Sequence, residues 1–251
     1  MADKLVHKVA IITGATSGMG KAIAHTFVAN GAKVILSGRD EERGKALEKE
    51  LGEHSIFIAG DVRNSAYNEQ LVNSAIEHFG RLDILSMNAG ILGLGSVTEL
   101  PDALWKNTMD TNLSSIFYLS KYAIPEMEKN EGSSILINAS IAAYKSFPNH
   151  PAYCASKAGS LALMRQMAVE YAPQIRVNAI CPGPVDTPLL WDSARAFSDP
   201  TKAVENAASK TLLNRLGKPN DIANLALFLV SEDASWITGS AMTIDGGILN
   251  A

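Results

Sequence analysis

The chain has 251 residues, 47% hydrophobic and 19% charged, and 22 Lys plus Arg against 26 Asp plus Glu leave a net charge of −4. A chain of this size and composition can bury a full core without disulfides or metals, which excludes a disordered chain. Mild acidity with no run of Lys and Arg offers no electrostatic footprint for nucleic acid or an anionic membrane, and two cysteines, Cys154 and Cys181, are too few for a disulfide framework.

Val9 to Thr13 is a short β-branched run ending in glycine, as a buried parallel strand would be. It is too short for a signal-peptide core, and no later apolar stretch nears the roughly 20 residues of a membrane span. A cytoplasmic protein without membrane contact is therefore expected. Gly20 to Asn30 has helical spacing and stops at Asn30-Gly31. Lys33 to Ser37 reads as a strand, Glu41 to Leu51 as a charged helix, and Ser55 to Ala59 as a strand. Ser65 to Phe79 is a helix opening at Ser65 and stopping before Gly80, and Ile84 to Asn88 is a fourth strand. A helical region runs from Pro101 to about Lys129, with Pro125 marking a kink or break. Strands over Ser134 to Asn138 and Arg176 to Cys181 flank a long helix, Ala152 to Tyr171. Asp221 to Val230 is a helix and Ala241 to Ile244 the last strand. Alternation of this kind predicts an α/β fold, a parallel sheet of about seven strands with helices on both faces. No linker, repeat or low-complexity tract interrupts it, so residues 1–251 are expected to form a single domain. The segment from about 184 to 213 lacks clear strand pairing, and a connection that long inside a compact domain is usually functional or disordered.

The first strand runs into Gly14-Ala15-Thr16-Ser17-Gly18-Met19-Gly20. A strand, a glycine turn and a helix start make an anion site, because glycines let the backbone approach a pyrophosphate and the helix N-terminus offers free N–H groups. At the tip of the second strand stand Gly38 and Arg39, with no carboxylate at Gly38 to repel a 2′-phosphate. That favours NADP(H), while Asp40 keeps NAD(H) open. Tyr153 and Lys157 lie four residues apart on one helix face, about 5–6 Å apart at Cβ. An ammonium near a phenol lowers the phenol's pKa and suits it to exchange a proton with an alcohol or carbonyl, and the hydroxyl of Ser140 could bond the same oxygen.

Taken in order, these elements resemble the short-chain dehydrogenases/reductases, in the branch of about 250 residues. The resemblance rests on Thr13-Gly14-x-x-x-Gly18-x-Gly20, Asp61-Val62, Asn88-Ala89-Gly90, Asn112, Ser140, Tyr153-x-x-x-Lys157 and Pro182-Gly183, closing with Ile237-Thr238-Gly239 and Asp245-Gly246-Gly247. One departure is Met87, where the family often has a second Asn. The resemblance implies a Rossmann-like, doubly wound domain and hydride transfer between a nicotinamide and a secondary alcohol or ketone. It implies Tyr153 as general acid or base and Lys157 as the residue that holds the nicotinamide ribose and lowers the pKa of Tyr153. Ser140 would position the substrate oxygen, and Asn112 would hold a water of a proton relay. Asp61 would bond the adenine amino group beside the Val62 backbone, Asn88, Ala89 and Gly90 would floor the cofactor, and Pro182, Gly183, Val185 and Thr187 would flank the carboxamide. A homotetramer is implied too, built on the helices within Pro101–Lys129 and Ala152–Tyr171 and on the C-terminal segment.

Candidate substrate-facing side chains are Ser140, Ile141, Tyr144, His150, Tyr153, Pro184, Leu189 and Trp191. His150 reads either as a polar substrate contact or as a loop histidine without a role. It has no second histidine at ligand spacing, so no metal site is expected. Leu189, Leu190 and Trp191 start either an apolar lid or a static surface helix. Two readings compete with the alcohol/ketone oxidoreductase. One is a lyase-type relative such as the halohydrin dehalogenases, against which Lys157 and the intact glycine loop argue. The other is a dinucleotide-sensing protein without catalysis.

Overall fold

A computed structural model describes residues 3–251. Strands apolar at every position must be covered on both faces, and the strand Val9–Thr13 (β1) is buried at all five residues. The chain continues through Gly18–Val28 (α1), Lys33–Gly38 (β2), Glu41–Leu51 (α2), Ser55–Ala59 (β3), Ser65–Phe79 (α3) and Ile84–Met87 (β4). Asp102–Met109 (α4) passes through a π-helical turn at Asp110–Ser114 into Ser115–Met127 (α5), followed by Ser133–Asn138 (β5), Pro151–Tyr171 (α6) and Ile175–Pro182 (β6). Pro188–Ala194 (α7), Pro200–Ser209 (α8), Pro219–Val230 (α9) and Ala241–Ile244 (β7) complete it.

The strands form one parallel sheet of seven in the order β3-β2-β1-β4-β5-β6-β7. Alternate residues of β1 serve opposite cores. Val9 and Ile11 pack with α3, α5 and α6, whereas Ala10 and Ile12 pack with α1, α2 and α9. The fold is thus α/β and doubly wound. Strand order reverses between β1 and β4, and such a switch point opens a crevice at the strands' carboxyl ends. Thr13 bridges it, its Oγ1 accepting the N–H groups of Asn88 at 3.1 Å and Ala89 at 3.3 Å. At the opposite end the fully buried Asp83 ties the two strands together. Its carboxylate accepts the Val9 N–H at 2.9 Å and the Arg81 Nε–H at 2.8 Å.

Several boundaries differ from those read in the sequence. α1 begins at Gly18, two residues before the expected Gly20. α3 spans Ser65–Phe79 as read, with Asn64 as its cap, whose Oδ1 accepts the Ala66 N–H at 2.9 Å. Pro125 does not break α5, which runs on to Met127. It lies on the exposed side of the last turn, where the one backbone bond it forgoes faces solvent. The segment from 184 to 213 holds two helices, α7 and α8, each with proline in its first turn, where a missing N–H costs nothing.

Candidate active site

The carboxyl end of β1 meets the glycine loop in a tight cradle. A Cβ on Gly14 (φ +64°) would fall 2.9 Å from the Ala89 nitrogen, and one on Gly20 would fall 2.2 Å from the Gly14 carbonyl oxygen. Only a bare backbone lets the loop lie flat against α1 and the loop after β4. Ser17 caps α1 without a side-chain hydrogen bond, and its first turn, Gly18, Met19 and Gly20, carries no acidic group. Its leading N–H groups and the helix dipole are therefore free to hold an anion. Thr16 packs on Gly38, where any Cβ would meet its methyl at 2.6 Å. Arg39 follows, exposed at the edge of this cradle.

Asp61 stands beyond β3, gripped by Arg63, whose Nε donates to Oδ1 at 3.0 Å and Oδ2 at 2.9 Å. The guanidinium holds the Asp61 carboxyl below the usual carboxylate range and reaches on to Asn107 of α4. Val62 is buried, its carbonyl accepting from Asn68 Nδ2 at 2.7 Å. Asn138 Nδ2 donates to Asn88 Oδ1 at 3.2 Å, and Asn138 Oδ1 is a buried acceptor with no partner. A flat glycine cradle, an uncapped helix start and an orphaned acceptor beside it fit a dinucleotide.

Tyr153 and Lys157 project from the first two turns of α6, and Ser140 from the end of β5. Lys157 is buried, with its Nζ 5.6 Å from the centre of the Tyr153 ring and donating to the Asn138 carbonyl at 2.7 Å. The expected depression of the Tyr153 pKa is absent. Burial pushes this phenol up to about 12, opposed in part by its bond with the Ser140 hydroxyl. Burial likewise drives Lys157 down to about 8. Two groups buried together without an opposing charge each favour the neutral form, and that outweighs their proximity. Asn112 sits in the π-helical turn, a feature frequent at functional sites. Its Oδ1 accepts the Ile91 N–H at 2.8 Å, and its Nδ2 donates to the Ile91 carbonyl and to Ser156 Oγ, both at 2.9 Å. Gly90 lies between this amide and the lysine. A Cβ there would stand 3.5 Å from Asn112 Oδ1 and 3.7 Å from Lys157 Nζ.

A cavity of about 640 Å³ opens beside Tyr153 and Ser140. That is within the usual range for small-molecule sites, about 300–1,000 Å³. Met19, Pro182, Gly183, Val185 and Thr187 line the side of it next to the glycine loop. The Thr187 methyl packs 3.2 Å from where a Gly18 Cβ would be, and its hydroxyl donates to the Val185 carbonyl at 3.2 Å. Ile141, His150, Pro184 and Leu189 line the other side as expected. Tyr144 and Trp191 do not line it. The short turn Ile141–Ala143 carries Tyr144 round to the Cys181 thiol, and Trp191 lies on the outer face of α7 with its indole N–H on Asp186 at 3.0 Å. His150 immediately precedes α6 and is hydrogen-bonded through both ring nitrogens. Its Nδ1–H donates to the Pro148 carbonyl at 2.6 Å, so Nε2 accepts from Ser193 Oγ at 2.9 Å. Burial lowers its pKa and keeps it neutral near pH 7. Sequence reasoning missed Leu92, Lys145, Phe147, Ser193, Phe197, Lys202 and Lys210, all of which line the cavity. Of these, the last four carried a signal, lying in the segment already marked by its length.

No helix among the described residues is long and apolar enough to cross a membrane, and no cluster of His, Cys, Asp and Glu among them could hold a metal. A family profile described as enoyl-(acyl carrier protein) reductase matches residues 14–249. An uncharacterized oxidoreductase of Thermotoga maritima is 41% identical over 244 residues, 96% of each chain. The human dehydrogenase/reductase SDR family member 4 is 36% identical, covering 98% of this chain and 88% of its own. Among solved structures, ligand-free Thermoplasma acidophilum aldohexose dehydrogenase superposes with a TM-score of 0.92 at 33% identity, covering 100% of this chain and 97% of its own. Levodione reductase gives 0.93 at 32% identity, covering 98% and 99%. With relatives 36% and 41% identical along nearly its whole length, the chain belongs to the short-chain dehydrogenase/reductase family and is a nicotinamide-dependent oxidoreductase.

Proposed function

We propose that the protein interconverts a secondary alcohol and a ketone, with NADP(H) preferred over NAD(H) and Tyr153 as the acid or base. The observation that carries this reading is one cluster, half-buried Ser140 and Tyr153 with buried Lys157, between the glycine cradle and the cavity. When bound, the nicotinamide supplies the two-electron step. Gly14 to Gly20 hold the pyrophosphate on the α1 N-terminus, and Asp61, kept ionised by Arg63, meets the adenine amino group. Thr187 and Val185 face the carboxamide, and Asn88, Ala89 and Gly90 form the floor. Arg39 prefers a 2′-phosphate because it meets that charge without a neighbouring carboxylate at Gly38. One domain serves both cofactor and substrate.

Ser140 orients the substrate oxygen toward the Tyr153 hydroxyl. With its pKa near 12 in the free protein, Tyr153 holds its proton at neutral pH and is ready to donate it to a ketone. Lys157 spends one of its three donors on the Asn138 carbonyl and keeps two for the ribose hydroxyls and the phenol. The gap that Gly90 leaves between Lys157 and Asn112 gives a replacement proton a path inward. Phe117 on α5, Val169 on α6 and Trp236 near the C-terminus are exposed apolar side chains, which supports a homotetramer joined through those elements. Free Cys154 and Cys181 accord with a cytoplasmic enzyme. The test is a panel of alcohols and ketones with each cofactor, followed by nicotinamide absorbance. Tyr153→Phe should lower kcat roughly 10²–10⁴-fold with cofactor binding intact. Unchanged turnover would remove Tyr153 from the mechanism.

A further inference from the structure

The substrate side of the cavity combines two surfaces. Its wall is apolar, built from Leu92, Ile141, Leu189, Leu190, Phe197 and Val204. Three lysines, Lys145, Lys202 and Lys210, line the same space, against one carboxylate, Asp199. All three are exposed, and none forms an ion pair among the described residues. Elsewhere, Lys4, Lys8, Lys21, Lys45, Lys106 and Lys129 pair with acids, and Lys33, Lys49, Lys121 and Lys218, which do not, lie on or at the start of four separate elements. Asp199 is engaged as the cap of α8, accepting the Lys202 N–H at 3.0 Å. Three unpaired lysines against one engaged carboxylate thus give this cavity a positive rim on an otherwise acidic chain, and such a rim attracts anions.

We propose that the substrate is an amphipathic anion: an oxo or hydroxy compound with an apolar body and a negative charge at the end remote from the reacting carbon. This rests on reading the cavity as the substrate site. The apolar wall selects the body, at about fourfold in affinity per buried methylene. The lysines select the charge. An ammonium on a flexible stem is a mobile point charge, so it recognises an anion without fixing its geometry and tolerates a range of body lengths.

The probes are 9-oxodecanoate and its methyl ester. Binding to the protein loaded with oxidised cofactor is measured by calorimetry, and turnover is measured with reduced cofactor. The acid should bind about tenfold more tightly than the ester at low salt, the sum of three exposed charge pairs, and 0.5 M NaCl should erase most of that preference. The combined variant Lys145→Glu, Lys202→Glu and Lys210→Glu should lower the acid-to-ester ratio at least tenfold. Equal binding of acid and ester overturns the proposal. So does a variant that weakens the dinucleotide as much as the acid, which would assign the lysines to the cofactor phosphates. Lysine-dependent preference for the acid without turnover upholds the anion site and sinks the redox reading. Turnover of neutral ketones without preference for the acid does the reverse.

Discussion

Replacing Lys157 with methionine isolates the cost of burying an ammonium. Lys157 is 5% exposed, and its one protein hydrogen bond is to the Asn138 carbonyl at 2.7 Å. Burial lowers its pKa from 10.5 to about 8, which is worth about 3 kcal/mol at roughly 1.4 kcal/mol per pH unit. The folded pKa is below the unfolded one, so between these values the unfolded chain binds more protons and stability rises with pH. The full penalty is present at pH 7 and is about 2 kcal/mol smaller by pH 9.5. Methionine keeps most of the stem without the charge and carries no such pH dependence. Losing the bond to Asn138 costs about 1–2 kcal/mol at either pH. Urea unfolding of both proteins without cofactor gives the test. The variant's stability relative to its parent should be about 2 kcal/mol more favourable at pH 7 than at pH 9.5, and the subtraction cancels every other titrating group. A relative stability that stays level across this range would refute the reasoning, because Lys157 would then be as solvated folded as unfolded.

Arg39→Ala should raise the Kd for NADP(H) by roughly tenfold to hundredfold and leave that for NAD(H) nearly level, by calorimetry. Equal losses for both would free Arg39 from the 2′-phosphate. Gly20→Ala places a Cβ 2.2 Å from the Gly14 carbonyl oxygen, so the cradle must open. At about 1–3 kcal/mol of strain, dinucleotide affinity should fall about tenfold or more, and wild-type affinity would contradict the flat-loop geometry. Asp83→Ala strands the Val9 N–H and the Arg81 guanidinium, and should cost about 3 kcal/mol in urea unfolding. A loss below about 1 kcal/mol would mean that water replaces the carboxylate.

The sheet could be read in advance because buried parallel strands are continuous apolar runs, and Val9–Thr13 matches its expected limits residue for residue. Gly14, Gly18 and Gly20 were legible for a similar reason, since close backbone approach demands a residue without a side chain. Features that depend on rotation about an element were not. Nothing in Ile141 to Tyr144 reveals a short turn that sends Tyr144 away from the cavity, and α7 shows Trp191 to solvent while Leu189 and Leu190 face inward. The π-helical turn at Asp110–Ser114 is equally silent, because its single phase step between two short helices is lost in the imperfect spacing of their apolar residues. The pKa of Tyr153 misled because spacing reports proximity but not burial, and here burial is the larger effect.

The bond from Ser193 to His150 gives the cavity's covering helix a mechanical grip on the chemistry. Ser193 belongs to α7, while His150 immediately precedes α6 and packs edge-on against the Tyr153 ring with centroids 6.3 Å apart. Any displacement of α7 must either break that bond or tug the turn that carries the phenol. In the proposed reaction, a substrate that displaced α7 would also shift the tyrosine it must react with, which would link entry to the alignment of the phenol.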